Sequence, residues 1–282
     1  MNQKVYLVTG ATAGIGLVTA RELARTGATV VGVGRHPEKS AAVAKHLREE
    51  TRNPNVEFLL ADLSVQKQIR ALAQTFRERY ARLDVLINNA GAVYLDRQES
   101  ADGLELTFAL NHLSYFLLTN LLLDLLKASA PARIVNVSSR AHLRTAGLNF
   151  NDLQNRRGYF GMNVYNQSKL CNVLFTHELA RRLAGTRITV NALHPGVVAT
   201  NFFLNNGLLG QFARPIINLI SIRPEDGAKT TLYLATSPKV EGVTGKYFDD
   251  HQREVAASKA SYDRTAQLRL WQVSEQLTGL AS

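Results

Sequence analysis

Tyr165 and Lys169, in the stretch YNQSK, are the residues of this sequence whose types and spacing point most directly to chemistry. Side chains four residues apart share one face of an α-helix, so the ammonium can sit beside the phenol. A free tyrosine has a pKa of ~10, and proton transfer at neutral pH requires a shift of roughly three units, or about 4 kcal/mol. One positive charge at ~4 Å contributes about that much at an effective dielectric constant of ~20. The pair therefore indicates a proton donor, although a surface tyrosine beside a solvated lysine has the same pattern.

A glycine-rich segment near the N-terminus lies between a predicted strand and a predicted helix. Residues 5–8 are apolar, residues 9–16 read TGATAGIG, and a helical pattern continues to Ala24. Glycines permit a tight turn and close approach of the main chain, and a helix N-terminus favours a pyrophosphate. The spacing GxxxGxG differs from the more familiar GxGxxG, and a plain glycine turn is the alternative. The order of strand, turn and helix favours a dinucleotide site with the contacts Gly10, Thr12, Ala13, Gly14, Ile15 and Gly16.

The second predicted strand, residues 28–34, ends at Arg35. In a Rossmann arrangement the residue after this strand contacts the ribose of the adenosine. An acid there accepts the 2′-hydroxyl of NAD, and an arginine accommodates the 2′-phosphate of NADP. A guanidinium suits phosphate through bidentate, charge-assisted hydrogen bonds, and no carboxylate stands at this strand end. The sequence therefore predicts NADP(H) in preference to NAD(H), with Lys39 as a weaker second contact, unless both side chains are simply solvated.

Three further strand ends carry polar or small residues. Open parallel sheets bind ligands at the carboxyl ends of their strands. We therefore expect Asp62 to accept a hydrogen bond from the adenine and Asn88 to tie neighbouring strands together. Another strand, residues 133–137, closes on Ser138-Ser139, where a hydroxyl can face the tyrosine and bind a substrate oxygen. At the ends of the strands predicted over residues 56–61 and 85–87, the candidate cofactor contacts are Asp62, Leu63, Asn89, Ala90 and Gly91.

These motifs, with Asn111 and His194-Pro195-Gly196, occur in the order of the classical short-chain dehydrogenase/reductases, which the sequence resembles from about residue 4 to about residue 250. The resemblance implies that Tyr165 is the acid/base and that Lys169 lowers its pKa and holds the nicotinamide ribose. It also implies that Ser139, rather than Ser138, orients the substrate and that Asn111 anchors a proton-relay water. In that family one segment meets the nicotinamide carboxamide. The residues of this sequence that resemble it are Pro195, Gly196, Val198 and Thr200.

A closer subgroup is indicated by the insert between Ser139 and Tyr165, which is about twice the usual length for classical members. With the segments NHLSYFLLTNLLL, SKLCNVLF and HPGVV, it is similar to the retinol dehydrogenase group. The resemblance implies an NADP(H)-dependent oxidoreductase that interconverts an apolar aldehyde or ketone and its alcohol. One alternative is a C=C reductase similar to the light-dependent protochlorophyllide reductases. Another is a catalytically silent NADP(H)-binding regulatory or scaffold protein.

An apolar segment interrupted by glycine and proline covers about residues 200–222. Because it follows the nicotinamide-contacting turn, we predict a substrate lid, with Phe202 and Phe203 joining Ser139 and Tyr165 as substrate contacts. A packing or subunit-contact segment is the alternative. Residues 258–278 predict a last helix.

Strands and helices alternate from residue 4 to residue 248 without a linker, so we expect one domain over residues 1–282. Its predicted fold is α/β, a doubly wound and mostly parallel seven-stranded Rossmann sheet with helices on both faces. The single cysteine, Cys171, excludes an intramolecular disulfide, and no Cys/His pairing has metal-ligand spacing.

The remaining expectations concern location and partners. The sequence starts almost directly at its first strand and has no stretch of membrane-spanning length, which predicts a cytoplasmic protein. The net charge of +10 is dispersed and forms no aromatic-interleaved stripe. This favours an anionic cofactor or a peripheral membrane contact over nucleic acid. The family resemblance implies a homodimer or homotetramer.

Overall fold

The computed structural model describes residues 3–196 and 223–280, and its centre is one seven-stranded sheet. The strand order is β3-β2-β1-β4-β5-β6-β7, and every pairing between neighbouring strands is parallel. This confirms the predicted α/β fold. The strands are β1 (Val5–Thr9), β2 (Thr29–Gly34), β3 (Val56–Leu60), β4 (Val85–Asn88), β5 (Ala132–Val137), β6 (Ile188–Leu193) and β7 (Tyr247–Phe248).

Helices cover both faces of this sheet, which is why apolar residues of its central strands face both sides instead of alternating with polar ones. All five residues of β1 are buried. Leu7 joins a cluster with Phe76 and Phe116, whereas Tyr6 packs on the opposite face with Leu23. The longer helices are α1 (Gly14–Arg25), α2 (Pro37–Thr51), α3 (Gln66–Arg79), α5 (Ser114–Leu121), α7 (Gly161–Arg182), α8 (Pro224–Thr236) and α9 (Arg264–Thr278).

Shorter helical segments lie at the ends of the connections. The chain enters α5 through α4 (Leu106–Phe108) and one π-helical turn, Ala109–Leu113, and leaves it through α6 (Leu123–Ala128). Further 3₁₀ turns are Arg140–Arg144, Pro238–Val240 and Lys259–Tyr262. The π-helical turn includes Asn111, and such turns occur frequently at functional sites.

The strand order reverses between β1 and β4. The chain proceeds outward from β1 to β3 and then returns to place β4 on the other side of β1. In open α/β sheets, ligands bind outside the carboxyl ends of the strands at such a switch point. The side chain of Asn88 ties the sheet together there, because its Nδ2 donates to Asn136 Oδ1 at 2.9 Å and to Thr119 Oγ1 at 3.0 Å.

The last helix, α9, packs beside α7 through the buried carboxylate of Glu178. This side chain is 0% exposed and accepts hydrogen bonds from Arg181, Arg182 and, on α9, Arg264. The helix begins after Asp263, which caps it by accepting from two main-chain N–H groups. Within the described ranges, no helix combines the length and the apolar character that crossing a membrane requires.

The pKa of Glu178 makes the α7–α9 contact sensitive to acid. Burial alone would raise this pKa, but hydrogen bonds from Arg181, Arg264 and Arg182 lower it to about 2. A carboxyl whose pKa is lower in the folded state stabilises the fold above its unfolded pKa of about 4.3. This contribution is lost as the pH falls from that value towards about 2.

We therefore expect Glu178→Gln to lower the free energy of unfolding by about 1.5–3 kcal/mol at pH 7. The deficit should shrink as the pH falls below about 4.3. Urea unfolding at several pH values measures this difference. Glu22→Gln, which removes a partly exposed ion pair with Arg25, is the control and should change stability little. A deficit for Glu178→Gln that does not vary with pH would contradict the assignment.

Candidate active site

A cavity of about 540 Å³ opens at the carboxyl ends of β1, β2, β4 and β5. It lies at the switch point of the sheet, where the sequence predicted the site. Predicted site residues that line it are Gly10, Thr12, Ala13, Gly14, Ile15, Gly16, Arg35, Asp62, Leu63, Asn89, Ala90, Gly91, Ser139, Tyr165, Lys169, Pro195 and Gly196.

The loop between β1 and α1 has the shape of a phosphate cradle. Gly10 and Gly14 have positive φ angles, of 67° and 55°, which favour glycine. A Cβ on Gly16 would lie 2.3 Å from the carbonyl oxygen of Gly10, so no side chain fits there without a shift. The N-cap residue of α1 is Ala13, which offers no side-chain cap. The first turn of α1 therefore presents its main-chain N–H groups and positive dipole end to the cavity, and this donor set suits a pyrophosphate.

Arg35 follows β2 and lines the same cavity, as predicted from its position. Its Nε donates to Nε2 of His36 at 3.1 Å. The guanidinium also lies close enough to the hydroxyl of Tyr94, a buried residue of the loop after β4, to influence its pKa. Burial raises the pKa of Tyr94, and Arg35 opposes this shift. Lys39, by contrast, is exposed on α2 and is not among the described residues that line the cavity.

The ends of β3 and β4 supply the predicted polar residues, but their side chains are already partly engaged. One carboxylate oxygen of Asp62 accepts from the main chain and hydroxyl of Ser64. Nδ2 of Asn89 donates to the carbonyl oxygen of Thr9 at 2.8 Å, so its amide anchors the glycine-rich loop to β4. Gly91 is closely surrounded: a Cβ there would lie 3.1 Å from Oδ1 of Asn111 and 3.4 Å from Nζ of Lys169.

The two serines after β5 are used differently. The hydroxyl of Ser138 is buried and donates to the carbonyl oxygen of Lys169 at 2.8 Å. Both serines line the cavity, but Ser139 Oγ accepts from the main-chain N–H of Ala141 at 3.1 Å, and it is the Ser139 hydroxyl that lowers the pKa of Tyr165. The structure therefore places Ser139, and not Ser138, opposite the phenol.

Tyr165 and Lys169 project into the cavity from α7, and both are nearly fully buried. Nζ of Lys169 lies 5.7 Å from the centre of the Tyr165 ring and donates to the carbonyl oxygen of Val137 at 3.0 Å. Burial raises the pKa of Tyr165, with an opposing effect from the hydrogen bond to Ser139. Burial lowers the pKa of Lys169 to about 7. Desolvation thus acts on both groups, and it outweighs the lowering of the tyrosine pKa that the helix spacing suggested.

Asn111 lies in the π-helical turn but does not line the cavity among the described residues. Its Oδ1 accepts from the main-chain N–H of Ala92, and its Nδ2 donates to the carbonyl of Ala92 and to Oγ of Ser168. Because its amide is occupied by these bonds, a water held by Asn111 would have to use the main-chain carbonyl.

The remaining predicted contacts follow β6. Nδ1 of His194 accepts from the main-chain N–H of Gly196, and Pro195 and Gly196 complete the described wall of the cavity. Four predicted contacts lie outside the described residues, together with the predicted lid over about residues 200–222: Val198, Thr200, Phe202 and Phe203.

Other wall residues were not singled out from the sequence. Arg140, Ala141, Arg144 and Met162 come from the long insert, whose length was the only signal for them. Tyr94 is the most informative omission, because nothing in its local sequence indicates that its hydroxyl meets Arg35. Away from the cavity, Asp249, Asp250 and His251 bring ligand-type atoms within 4.8 Å of one another, but Arg253 and His251 already bind these carboxylates.

The glycine-rich loop generates a first test of the site. We expect Gly16→Ala to weaken NADPH binding and to cost about 1–3 kcal/mol of stability, because the added methyl group collides with the Gly10 carbonyl. Fluorescence titration with NADPH and thermal unfolding measure the two effects. Gly147→Ala, which adds a methyl group into open space, is the control. Unchanged NADPH affinity in Gly16→Ala would contradict the role of this loop.

Comparison with known proteins agrees with this geometry. A family model described as short chain dehydrogenase matches residues 4–207. Retinol dehydrogenase 14 of Homo sapiens is 44% identical over an alignment that covers 99% of this chain and 88% of that protein. Polyprenol dehydrogenase of Homo sapiens is 40% identical, with coverage of 98% and 86%.

Two solved structures extend the comparison to the fold. An uncharacterized protein from Mycobacterium paratuberculosis has a TM-score of 0.77 and 34% identity, covering 98% of this chain and 94% of that one. A protein described as a short chain dehydrogenase of Shigella flexneri, complexed with NADP, has a TM-score of 0.69 and 28% identity, covering 89% and 98%. The chain therefore belongs to the short-chain dehydrogenase family and is an oxidoreductase that acts on alcohol or carbonyl groups.

Proposed function

We propose that the protein is an NADP(H)-dependent oxidoreductase that interconverts an apolar aldehyde or ketone and its alcohol, with Tyr165 as the general acid/base. The observation that carries this proposal is that the Ser139 hydroxyl and the Tyr165 phenol line one cavity, close enough for Ser139 to lower the pKa of Tyr165. Both groups face the same cavity as Lys169 and the glycine-rich loop. The cavity thus brings together three functional groups: a proton donor, a hydrogen-bond donor for a carbonyl oxygen, and a loop that can bind a dinucleotide.

In the reductive direction, the glycine-rich loop and Arg35 would hold NADPH, which would supply the hydride that the carbonyl carbon accepts. The Ser139 hydroxyl donates a hydrogen bond to the carbonyl oxygen and stabilises the negative charge that develops there. Tyr165 then gives its phenolic proton to this oxygen, which completes the alcohol. Lys169 would bind the nicotinamide ribose and, with a water held at Asn111, return a proton to Tyr165.

The electrostatics of the site match the proton-donating role of Tyr165 in reduction. Because burial raises the pKa of Tyr165, its phenol is protonated at neutral pH, which is the form required to donate a proton. Oxidation of an alcohol would require the phenolate instead. Burial lowers the pKa of Lys169 to about 7, which weakens the support that its positive charge gives to a phenolate.

The preference for NADP(H) over NAD(H) is inferred from Arg35. Its guanidinium stands at the end of β2 and lines the cavity, where a 2′-phosphate would be the complementary group. The NADP bound to the related protein of Shigella flexneri supports this choice.

An apolar substrate is supported by the cavity and by the relatives. Ala141, Met162 and Leu110 contribute apolar surface to its wall. The names of the relatives retinol dehydrogenase and polyprenol dehydrogenase specify apolar alcohols. The predicted lid, with Phe202 and Phe203, would close this side of the pocket.

Several broader expectations are proposed with this function. The chain would act as one domain over residues 1–282, as a homodimer or homotetramer. The cytoplasm is its predicted location, and its net charge of +10 is compatible with a peripheral membrane contact.

Removal of the Tyr165 hydroxyl tests the mechanism. We expect Tyr165→Phe to lower kcat for NADPH-dependent reduction by roughly 10²–10⁴-fold, because the proton donor is lost. NADPH absorbance, followed with a panel of apolar aldehydes, ketones and quinones, measures the rate. Tyr80→Phe is the control, since this hydroxyl bonds Glu57 on the protein surface, and it should retain wild-type kcat.

Other outcomes of the same assay distinguish the alternatives. Retained kcat in Tyr165→Phe would exclude Tyr165 as the acid. Tight NADPH binding without turnover of any compound would favour the catalytically silent regulator. Reduction restricted to C=C bonds would favour chemistry like that of the protochlorophyllide reductases.

The cofactor preference has its own test. We expect Arg35→Ala to raise KM for NADPH by roughly 10–100-fold and KM for NADH by less than about threefold, because only NADPH carries the charge-assisted contacts that Arg35 provides. Lys39→Ala should have a smaller effect on NADPH. Lys45→Ala removes another exposed charge from α2 and is the control. Equal effects of Arg35→Ala on both cofactors would remove the argument for NADP preference.

A further inference from the structure

His142 is a buried imidazole that contacts both the Ser139 turn and the C-terminal part of the chain. It is 0% exposed and belongs to the 3₁₀ turn Arg140–Arg144, directly after Ser139. Its Nδ1 lies 2.7 Å from the carbonyl oxygen of Ser139. On the other side of the ring, the main-chain N–H of Ser258 donates to its Nε2 at 3.1 Å.

These two contacts determine the protonation state of the ring. A main-chain N–H only donates, so Nε2 accepts from Ser258 and carries no proton. The proton of the neutral imidazole is therefore on Nδ1, which donates it to the carbonyl oxygen of Ser139. Burial lowers the pKa of His142; the bond to Ser139 opposes this shift, and the nearby His194 and His177 add to it.

The carbonyl that His142 holds belongs to the residue whose hydroxyl faces the phenol. The same oxygen also accepts from the main-chain N–H of His142 at 3.2 Å. Ser139 Oγ accepts from the main-chain N–H of Ala141, so hydrogen bonds within the turn fix both the carbonyl and the side chain of Ser139. The carbonyl carbon and the side chain are both bonded to Cα of Ser139, so a contact that fixes the carbonyl limits the backbone displacements that would carry the hydroxyl away from Tyr165.

The other end of the imidazole is held by a well-anchored segment. The carbonyl oxygen of Ser258 accepts from the Ser261 hydroxyl at 2.7 Å, and His177 on α7 is hydrogen-bonded to the carbonyl oxygen of Ser261 at 2.9 Å. The ring of Tyr247 on β7 packs 4.6 Å from the His142 ring, centre to centre. The imidazole therefore lies between fixed groups and has little freedom to turn.

We propose that His142 is a positioning residue, which holds the Ser139 hydroxyl opposite Tyr165 by bridging the Ser139 carbonyl and the Ser258 amide. This inference rests on the proposed function, in which Ser139 binds the substrate oxygen. It adds a residue outside the cavity wall to the machinery and couples the segment after β7 to the reacting groups.

Two substitutions separate the two halves of the bridge. His142→Asn places an amide donor close to the position of Nδ1, so it can bond Ser139 but cannot reach Ser258. His142→Gln places its amide close to the position of Nε2, so it can accept from Ser258, but the Ser139 carbonyl loses its side-chain donor and keeps only the main-chain N–H of residue 142. We expect His142→Gln to lower kcat by about 10–100-fold, because a misplacement of about 1 Å can cost about that much. His142→Asn should retain at least about a third of the wild-type kcat, and KM for NADPH should change less than about threefold in both.

The matched control is His177→Asn. His177 also bonds the segment after β7, through Ser261, but it does not touch Ser139. It should lower the melting temperature without lowering kcat below that temperature. Equal losses of kcat in His142→Asn, His142→Gln and His177→Asn would show a merely structural role and overturn the inference.

Ser258 offers a second approach that leaves the imidazole intact. Ser258 has a φ of −62°, which proline can adopt, so Ser258→Pro removes the N–H that donates to His142. Ser258→Ala keeps this N–H and is the comparison. We expect kcat of Ser258→Pro to fall about two- to threefold below that of Ser258→Ala, because it loses the same contact as His142→Asn, and equal kcat values would overturn the proposed bridge. Turnover by the wild type with full activity in His142→Gln would overturn this inference alone, whereas no turnover by the wild type would overturn the proposed function as well.

Discussion

The pair of hydrogen bonds between Lys169 and the end of β5 is the contact on which the rest of the site depends. The main-chain oxygen of Lys169 accepts from the Ser138 hydroxyl, and its Nζ donates to the carbonyl oxygen of Val137. One residue of α7 is thus bound to the last two residues before Ser139. Because Tyr165 lies one turn earlier on the same helix, these bonds set the position of the phenol relative to the Ser139 hydroxyl.

Burial of this contact has an electrostatic consequence that side-chain spacing could not reveal. The helix pattern indicates correctly that Tyr165 and Lys169 lie near each other, and an ammonium beside a phenol in a medium of high dielectric constant would lower the pKa of the phenol. In the folded protein both groups are desolvated, which disfavours the charged form of each. Desolvation therefore raises the pKa of the tyrosine and lowers that of the lysine. Proximity could be predicted from sequence because it is local, whereas burial depends on segments far away in the chain.

The same distinction explains how much of the fold and site could be predicted. Strand ends, the glycine-rich turn and Arg35 follow from local patterns, and the structure brings all of them to one edge of the sheet. Tyr94 and His142 were missed because their partners, Arg35 and Ser258, are distant in sequence. Asp62, Asn89 and Asn111 were identified by position, but the sequence could not show that their side chains bind neighbouring protein groups.

Strand β4 joins the two halves of the cavity, because it is the neighbour of β1 on one side and of β5 on the other. On the first side, Asn89 binds the carbonyl of Thr9, next to the glycine-rich loop. On the second side, Asn88 binds Asn136, three residues before Ser139. The side-chain amides of Asn88 and Asn89 thus fix the distance between the glycine-rich loop and the Ser139 hydroxyl that faces Tyr165. Their hydrogen bonds are largely shielded from water, and an unpaired partner in such a place would carry a desolvation cost of about 1–3 kcal/mol. A rigid separation is what hydride transfer requires, since the cofactor and the substrate must meet at one distance.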